Sequence, residues 1–163
     1  MYLYLIRHGL AGEGDLEPEA DRARPLTPEG QRKTRRVAQR LVALNIQVQT
    51  ILTSPLPRAA QTAEILKQEN LGLRLETVDF LAPGGSYGDA CAWLHNWRSL
   101  GGGDVAWVGH QPELGGWAET LVWGHAQDRL VLKKAGVVGL SFTENDPAGR
   151  ALLFWLTPPR LLL

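Results

Sequence analysis

A single cysteine, Cys91, in 163 residues excludes an internal disulfide, and with it a small secreted scaffold held together by cross-links. Net charge is missing too. Seventeen Lys+Arg balance seventeen Asp+Glu, so no global field draws the chain to nucleic acid or to an acidic membrane surface. No apolar run approaches the roughly 18 residues of a membrane span. The opening run, residues 1–6, has no basic leader and meets Arg7 too early to read as a signal peptide. A soluble cytoplasmic protein is therefore the expectation. Lysine is scarce, four against thirteen arginines. The planar guanidinium suits phosphate and carboxylate oxygens, so the bias is compatible with anion chemistry. An apolar content of 44% belongs to an ordinary globular chain, and the length fits one domain over residues 1–163.

Short apolar runs alternate with helix-compatible stretches. Tyr2 to Ile6 is apolar and aromatic without polar alternation, the signature of a strand buried on both faces. Ala11 to Pro25, polar and acidic, reads as a surface loop. Thr27 is then a candidate N-cap with Pro28 at the first helical position, opening a helix over Glu29 to Leu44. Ile46 to Leu52 reads as a second strand, Pro57 to Glu69 as a helix, and Leu73 to Val78 as a third strand. Ala90, Trp93, Leu94 and Trp97 recur at helical spacing. Val105 to Val108 reads as a fourth strand. Leu114, Trp117, Ala118, Leu121 and Val122 repeat the helical spacing before Gly124, a candidate C-terminal cap. Val137 to Thr143 and Ala151 to Leu156 read as a hairpin around a turn at Glu144–Pro147. The alternation predicts an α/β fold: a three-layer α/β/α sandwich with helices on both faces of a mostly parallel sheet.

In such sheets ligands bind beyond the carboxyl ends of the strands. Three places then become comparable: Arg7-His8-Gly9 after the first strand, Ser54 to Arg58 after the second, and Gly109-His110 after the fourth. If these strands are neighbours, two imidazoles and two guanidiniums meet at one point. Helix N-termini at the second and third places favour anions there, so the site suits phosphate. A neutral imidazole is a competent nucleophile toward phosphorus. Arg7 and Arg58 can hold the oxygens on which charge collects in the transition state. Gly9 lets a substrate approach the backbone closely. His110 either donates to an oxygen or stabilises the loaded His8.

These residues carry a family resemblance. Leu5-Ile6-Arg7-His8-Gly9 resembles the opening R-H-G motif of the histidine phosphatase (phosphoglycerate mutase-like) superfamily. Arg24-Pro25-Leu26-Thr27-Pro28-Glu29-Gly30 resembles its R-x-L-T-x-x-G turn. The stretch from Thr53-Ser54-Pro55 through Arg58-Ala59-Ala60-Gln61-Thr62-Ala63 resembles its S-P-x-x-R-A-x-Q-T-A helix start, and Gly109-His110-Gln111-Pro112 its G-H-x-P element. The short length and the R-P-L-T wording are most similar to the SixA-type phosphohistidine phosphatases. The resemblance implies that His8 accepts the phosphoryl group and that Arg7, Arg58 and His110 complete the phosphate pocket. It implies metal-independent hydrolysis without a cofactor, phosphate as product, and a phosphotransfer-type signalling domain as partner.

Phosphomonoester hydrolysis in this superfamily commonly uses a carboxylic acid on an inserted helical lid. Only 47 residues separate Thr62 from His110, so a large lid does not fit. Asp79, or Glu76, is left as a candidate acid without a clear motif. An alkoxide leaves poorly unprotonated, whereas imidazole leaves as a neutral base with a conjugate acid near pKa 6.5. The favoured expectation is therefore hydrolysis of protein phosphohistidine through phospho-His8. A small-molecule phosphomonoesterase using Asp79 or Glu76 is the alternative, and a non-catalytic phosphohistidine-binding module is the third. Arg24 and Thr27 are read as structural, His95 and His125 as surface residues. Cys91 has no nucleophile context, and all six tryptophans are assigned to the core.

Overall fold

The central apolar runs between Gly, Pro and Asn breakers fold as strands because they bury both faces at once. A computed structural model describes residues 1–12, 17–143 and 151–163. Within these residues β1 (Tyr2–Arg7), β2 (Val48–Thr53), β3 (Gly72–Thr77), β4 (Val105–Gly109), β5 (Val137–Ser141) and β6 (Leu152–Thr157) form one sheet in the order β3-β2-β4-β1-β5-β6. The first four strands are mutually parallel, while β5 is antiparallel to both β1 and β6. β4 is buried along its whole length, whereas the edge strands β3 and β6 keep exposed positions. Central parallel strands need cover on both sides, and β1 shows how it is supplied. Leu3 and Leu5 face one layer, Tyr4 and Ile6 the other.

Among the described residues the α-helices are α1 (Pro18–Ala23), α2 (Pro28–Ala43), α3 (Pro57–Gln68), α4 (Tyr87–Ser99) and α5 (Glu113–Trp123). Val37, Ala38 and Leu41 of α2 and Ala59, Ala63 and Leu66 of α3 cover the Tyr4/Ile6 face. Ala90 and Leu94 of α4, with Leu114, Trp117, Ala118 and Leu121 of α5, cover the Leu3/Leu5 face. On this second face they are positions that the helical spacing picks out. Thr27 caps α2 by accepting the Gly30 N–H at 2.9 Å, and Gly124 ends α5 with φ 84°. A side-chain cap of this kind contributes about 1 kcal/mol.

Two expectations change. The stretch from Ala11 to Pro25 is not loop throughout, because Pro18–Ala23 is helical, although none of its residues is buried. Trp107 and Trp117 are core, but Trp123 is about half exposed and takes no part in it. The late strands pair as a hairpin would; the expected turn at Glu144–Pro147 lies outside the described residues, as do residues 13–16 of the acidic stretch. Between Thr62 and His110 the chain is taken up by the rest of α3, β3, a 3-10 turn at Asp79–Leu81, α4 and β4. No inserted lid is present there. No helix of the described residues is long and apolar enough to cross a membrane.

Candidate active site

Strand register brings the chemistry together. Arg7 pairs with Gly109 and Thr53 with Val108, so His8, Ser54 and His110 leave three adjacent strands at the same rim. The ladder runs one step further, His8 N–H donating to Gly109 O and Ser54 N–H to Val108 O, both at 3.0 Å. Both imidazoles are then held inside, His8 6% and His110 4% exposed, with ring centroids 5.2 Å apart.

The His8 Nδ1 lies 2.7 Å from the Gly9 carbonyl oxygen. A carbonyl only accepts, so Nδ1 carries the proton and donates it. In the neutral ring the lone pair is therefore on Nε2. The neutral form is strongly favoured. Burial lowers the His8 pKa to about 4, with Arg58, Arg7 and Lys134 adding to the shift and the Gly9 bond opposing it. His110 is lowered to about 3 by burial and by His8, Arg58 and Arg7, with Asp21 opposing. Its Nε2 is 2.8 Å from Ser54 Oγ, which also accepts the Leu56 N–H at 3.2 Å.

The two guanidiniums are held at one end and unanswered at another. Arg58 sits in the first turn of α3, 5% exposed, because Pro57 starts that helix directly after the β2 rim. Its Nη1 donates to Asp21 O at 2.7 Å and its Nη2 lies 3.4 Å from Asp21 Oδ2. Arg7 Nη1 donates to Leu132 O at 2.8 Å. The Nε of each is buried without a hydrogen-bond partner among the described residues. Unpaired buried donors of a cation, beside two neutral imidazoles, form a donor set suited to an oxyanion. The N-termini of α3 and α5 face the same rim, and α3 has no side-chain cap to occupy its first N–H groups. No group of three His, Cys, Asp or Glu side chains fit to hold a metal ion occurs among the described residues.

Residues that the sequence reading left without a role support this cluster. Thr62, fully buried, accepts the Gly9 N–H at 2.9 Å and donates to Arg58 O at 2.7 Å, tying the His8 loop to the turn that carries Arg58. Its signal was legible: Thr62 stands four residues after Arg58 and so on the same helical face. Glu119 had no signal. Its buried carboxylate accepts the N–H groups of Gln127, Asp128, Arg129 and Leu130. Burial pushes its pKa up, but these four bonds prevail and hold it below the usual range. The loop so gathered offers its Leu130 and Leu132 carbonyls to Gln111 and Arg7. Asp21 grips Arg24 at 2.5 Å as well as Arg58, and Arg24 also donates to Gly12 O, which suits the structural reading of Arg24. Gly9 also has a packing reason to be glycine. A Cβ there would lie 2.3 Å from Thr34 Oγ1 and 3.2 Å from Leu26 Cδ2, so close packing against α2 and its lead-in requires glycine. Asp79 and Glu76 lie exposed at or after the edge strand β3. Among the described residues, no hydrogen bond or ion pair joins either carboxylate to the histidine–arginine cluster. His95 and His125 are exposed, as expected.

Comparison with known proteins agrees with this geometry. Residues 3–82 match the family model of the histidine phosphatase superfamily (branch 1). A protein of Picosynechococcus sp., itself uncharacterised, is 44% identical over 172 residues, covering 100% of this chain and 99% of that protein. The phosphohistidine phosphatase SixA of Escherichia coli K12 is 28% identical over 160 residues, covering 98% of this chain and 94% of SixA. The structure of the protein histidine phosphatase SixA complexed with tungstate superposes with a TM-score of 0.87 at 26% identity, covering 100% of both chains.

Proposed function

Because the chain belongs to the histidine phosphatase superfamily, we propose that it hydrolyses phosphohistidine on a protein through a phospho-His8 intermediate. The Nε2 lone pair of His8 attacks phosphorus and forms a P–N bond, while the P–N bond to the substrate imidazole breaks. The electron pair stays on the departing nitrogen, and the substrate ring, protonated on its other nitrogen, leaves as neutral imidazole. Water then attacks phospho-His8, releasing inorganic phosphate and restoring the Nε2 lone pair. Arg7, Arg58 and His110 surround the phosphoryl oxygens, and donors preorganised in this way each contribute on the order of 100- to 1000-fold in rate.

One observation carries the reading: a neutral His8 with its lone pair on Nε2, packed beside His110 and between two guanidiniums. The leaving group follows from what touches that cluster. Asp21 is the one carboxylate in contact with it among the described residues. The hydrogen bond from Arg24 holds its pKa below the ordinary value, so it is ionised and cannot donate a proton. An alkoxide would need such a donor, whereas imidazole does not. Likeness to SixA, in sequence and in fold, supports the same substrate class.

The test is trapping of labelled phosphate by an alkaline denaturing quench during turnover of a phosphohistidine protein. Wild type retains base-stable, acid-labile label on His8, and His8→Ala retains none and is inactive. If sugar phosphates turn over faster than phosphohistidine and depend on Asp79 or Glu76, the monoesterase reading replaces this one.

A further inference from the structure

The loop gathered by Glu119 does more than hold Arg7. Val131, Leu132 and Lys133 form one wall of a groove of about 470 Å³, and Leu156, Pro159 and Arg160 belong to the other. Strand register places this groove on the catalytic rim. Ile6 pairs with Val137 and Val137 with Thr157, so the end of β6 stands beside the end of β1. Two inter-strand steps of about 4.8 Å put the groove about 10 Å along the rim from β1. It is continuous with the site, since the Leu132 carbonyl on its wall receives Arg7 Nη1. The adjoining Lys134 is near enough for its charge to act on His8.

Its composition is that of a docking surface. Val131 and Leu156 are 55% and 49% exposed, large apolar side chains offered to solvent side by side. Among the described residues the charged ones lining the groove are Lys133 and Arg160, with no carboxylate among them. In a chain whose formal charge is zero, this is a local choice of sign. An apolar floor between cations fits a segment of apolar side chains flanked by carboxylates. The 10 Å offset matters as well. A free phosphohistidine bound at His8 does not span it, whereas a folded domain presenting its phosphohistidine to His8 does.

Building on the function proposed above, we infer that this groove is the docking site for the phosphohistidine-bearing protein, taking an acidic-flanked apolar segment of its surface beside the modified histidine. The groove therefore sets KM for the protein substrate and leaves the chemistry at His8 alone.

Two variants test this, Lys133→Glu/Arg160→Glu and the uncharged Val131→Ser/Leu156→Ser. Each is assayed on phosphoramidate and on a small acidic protein domain bearing chemically installed phosphohistidine. Docking predicts that kcat/KM on the protein falls at least tenfold through KM, while phosphoramidate turnover stays within twofold and certifies the fold. An unchanged KM on the protein in both variants overturns the inference. So does an equal loss on both substrates, which would make the groove part of the active-site framework. If wild type cleaves neither P–N substrate, the function proposed above falls and the docking site falls with it.

Discussion

Replacing Thr62 by valine removes one hydroxyl and almost no volume, yet Thr62 Oγ1 is the acceptor for the Gly9 N–H in a fully buried position. The Arg58 carbonyl that Thr62 serves belongs to a helix and keeps other partners, so its loss is minor. The Gly9 N–H, by contrast, loses its acceptor in that buried position. An unsatisfied buried donor costs about 1–3 kcal/mol, and in a protein of this length each kcal/mol lowers Tm by about 2–4 °C. Thr62→Val should therefore lower Tm by about 2–12 °C, read by calorimetry or by the urea midpoint. Thr62→Ser keeps the oxygen and should recover most of the loss. Activity is coupled to the same bond, because the Gly9 peptide also supplies the carbonyl that holds His8 Nδ1–H. Loosening that peptide lets the imidazole turn, and hydrolysis per folded molecule should fall by about tenfold or more. A Thr62→Val protein with Tm within 1 °C of wild type and unchanged turnover would refute the reasoning.

Acid should destabilise the protein earlier than its carboxylates require. The folded pKa values of His8 and His110, about 4 and about 3, lie below the unfolded value near 6.5. Between these limits the unfolded chain binds more protons, so stability is full above about pH 6.5 and declines as pH falls. Two extra protons correspond to a slope of about 2.7 kcal/mol per pH unit near pH 5; a flat urea midpoint from pH 7 to pH 5 would contradict it. Gly30→Ala puts a Cβ 1.9 Å from the Leu10 carbonyl oxygen, a backbone atom that cannot swing aside, and should cost about 1–3 kcal/mol in a urea titration. Gly116→Ala, whose nearest new neighbour would be 3.7 Å away inside α5, should leave stability unchanged or raise it.

Much of the fold was readable because local chemistry and global position agree in it. Pro28 and Pro57 open helices where their missing N–H costs nothing, Thr27 caps, and Gly124 supplies the positive φ that ends α5. The five residues Leu114, Trp117, Ala118, Leu121 and Val122 repeat at helical spacing, and four of them are core. The short α1 was missed for a complementary reason. It buries nothing, so no apolar period marks it, and its ties to the rest run through Asp21. Trp123 was misassigned to the core because a large aromatic next to a periodic series looks buried whether or not its face turns inward.

The sequence by itself singled out His8, His110, Arg7 and Arg58 as the candidate site, and determined that each lies within a residue or a few of a strand's carboxyl end. It did so because strand endings and helix starts are written in local residues. Only the tertiary structure decided that β1, β2 and β4 are neighbours in this register, and hence that the two imidazoles sit 5.2 Å apart. It also decided that His8 stays neutral with its lone pair on Nε2, and that Thr62 and Glu119 hold the site from 54 and 111 positions along the chain. Those properties arise from burial and from contacts distant in sequence, which no local pattern encodes.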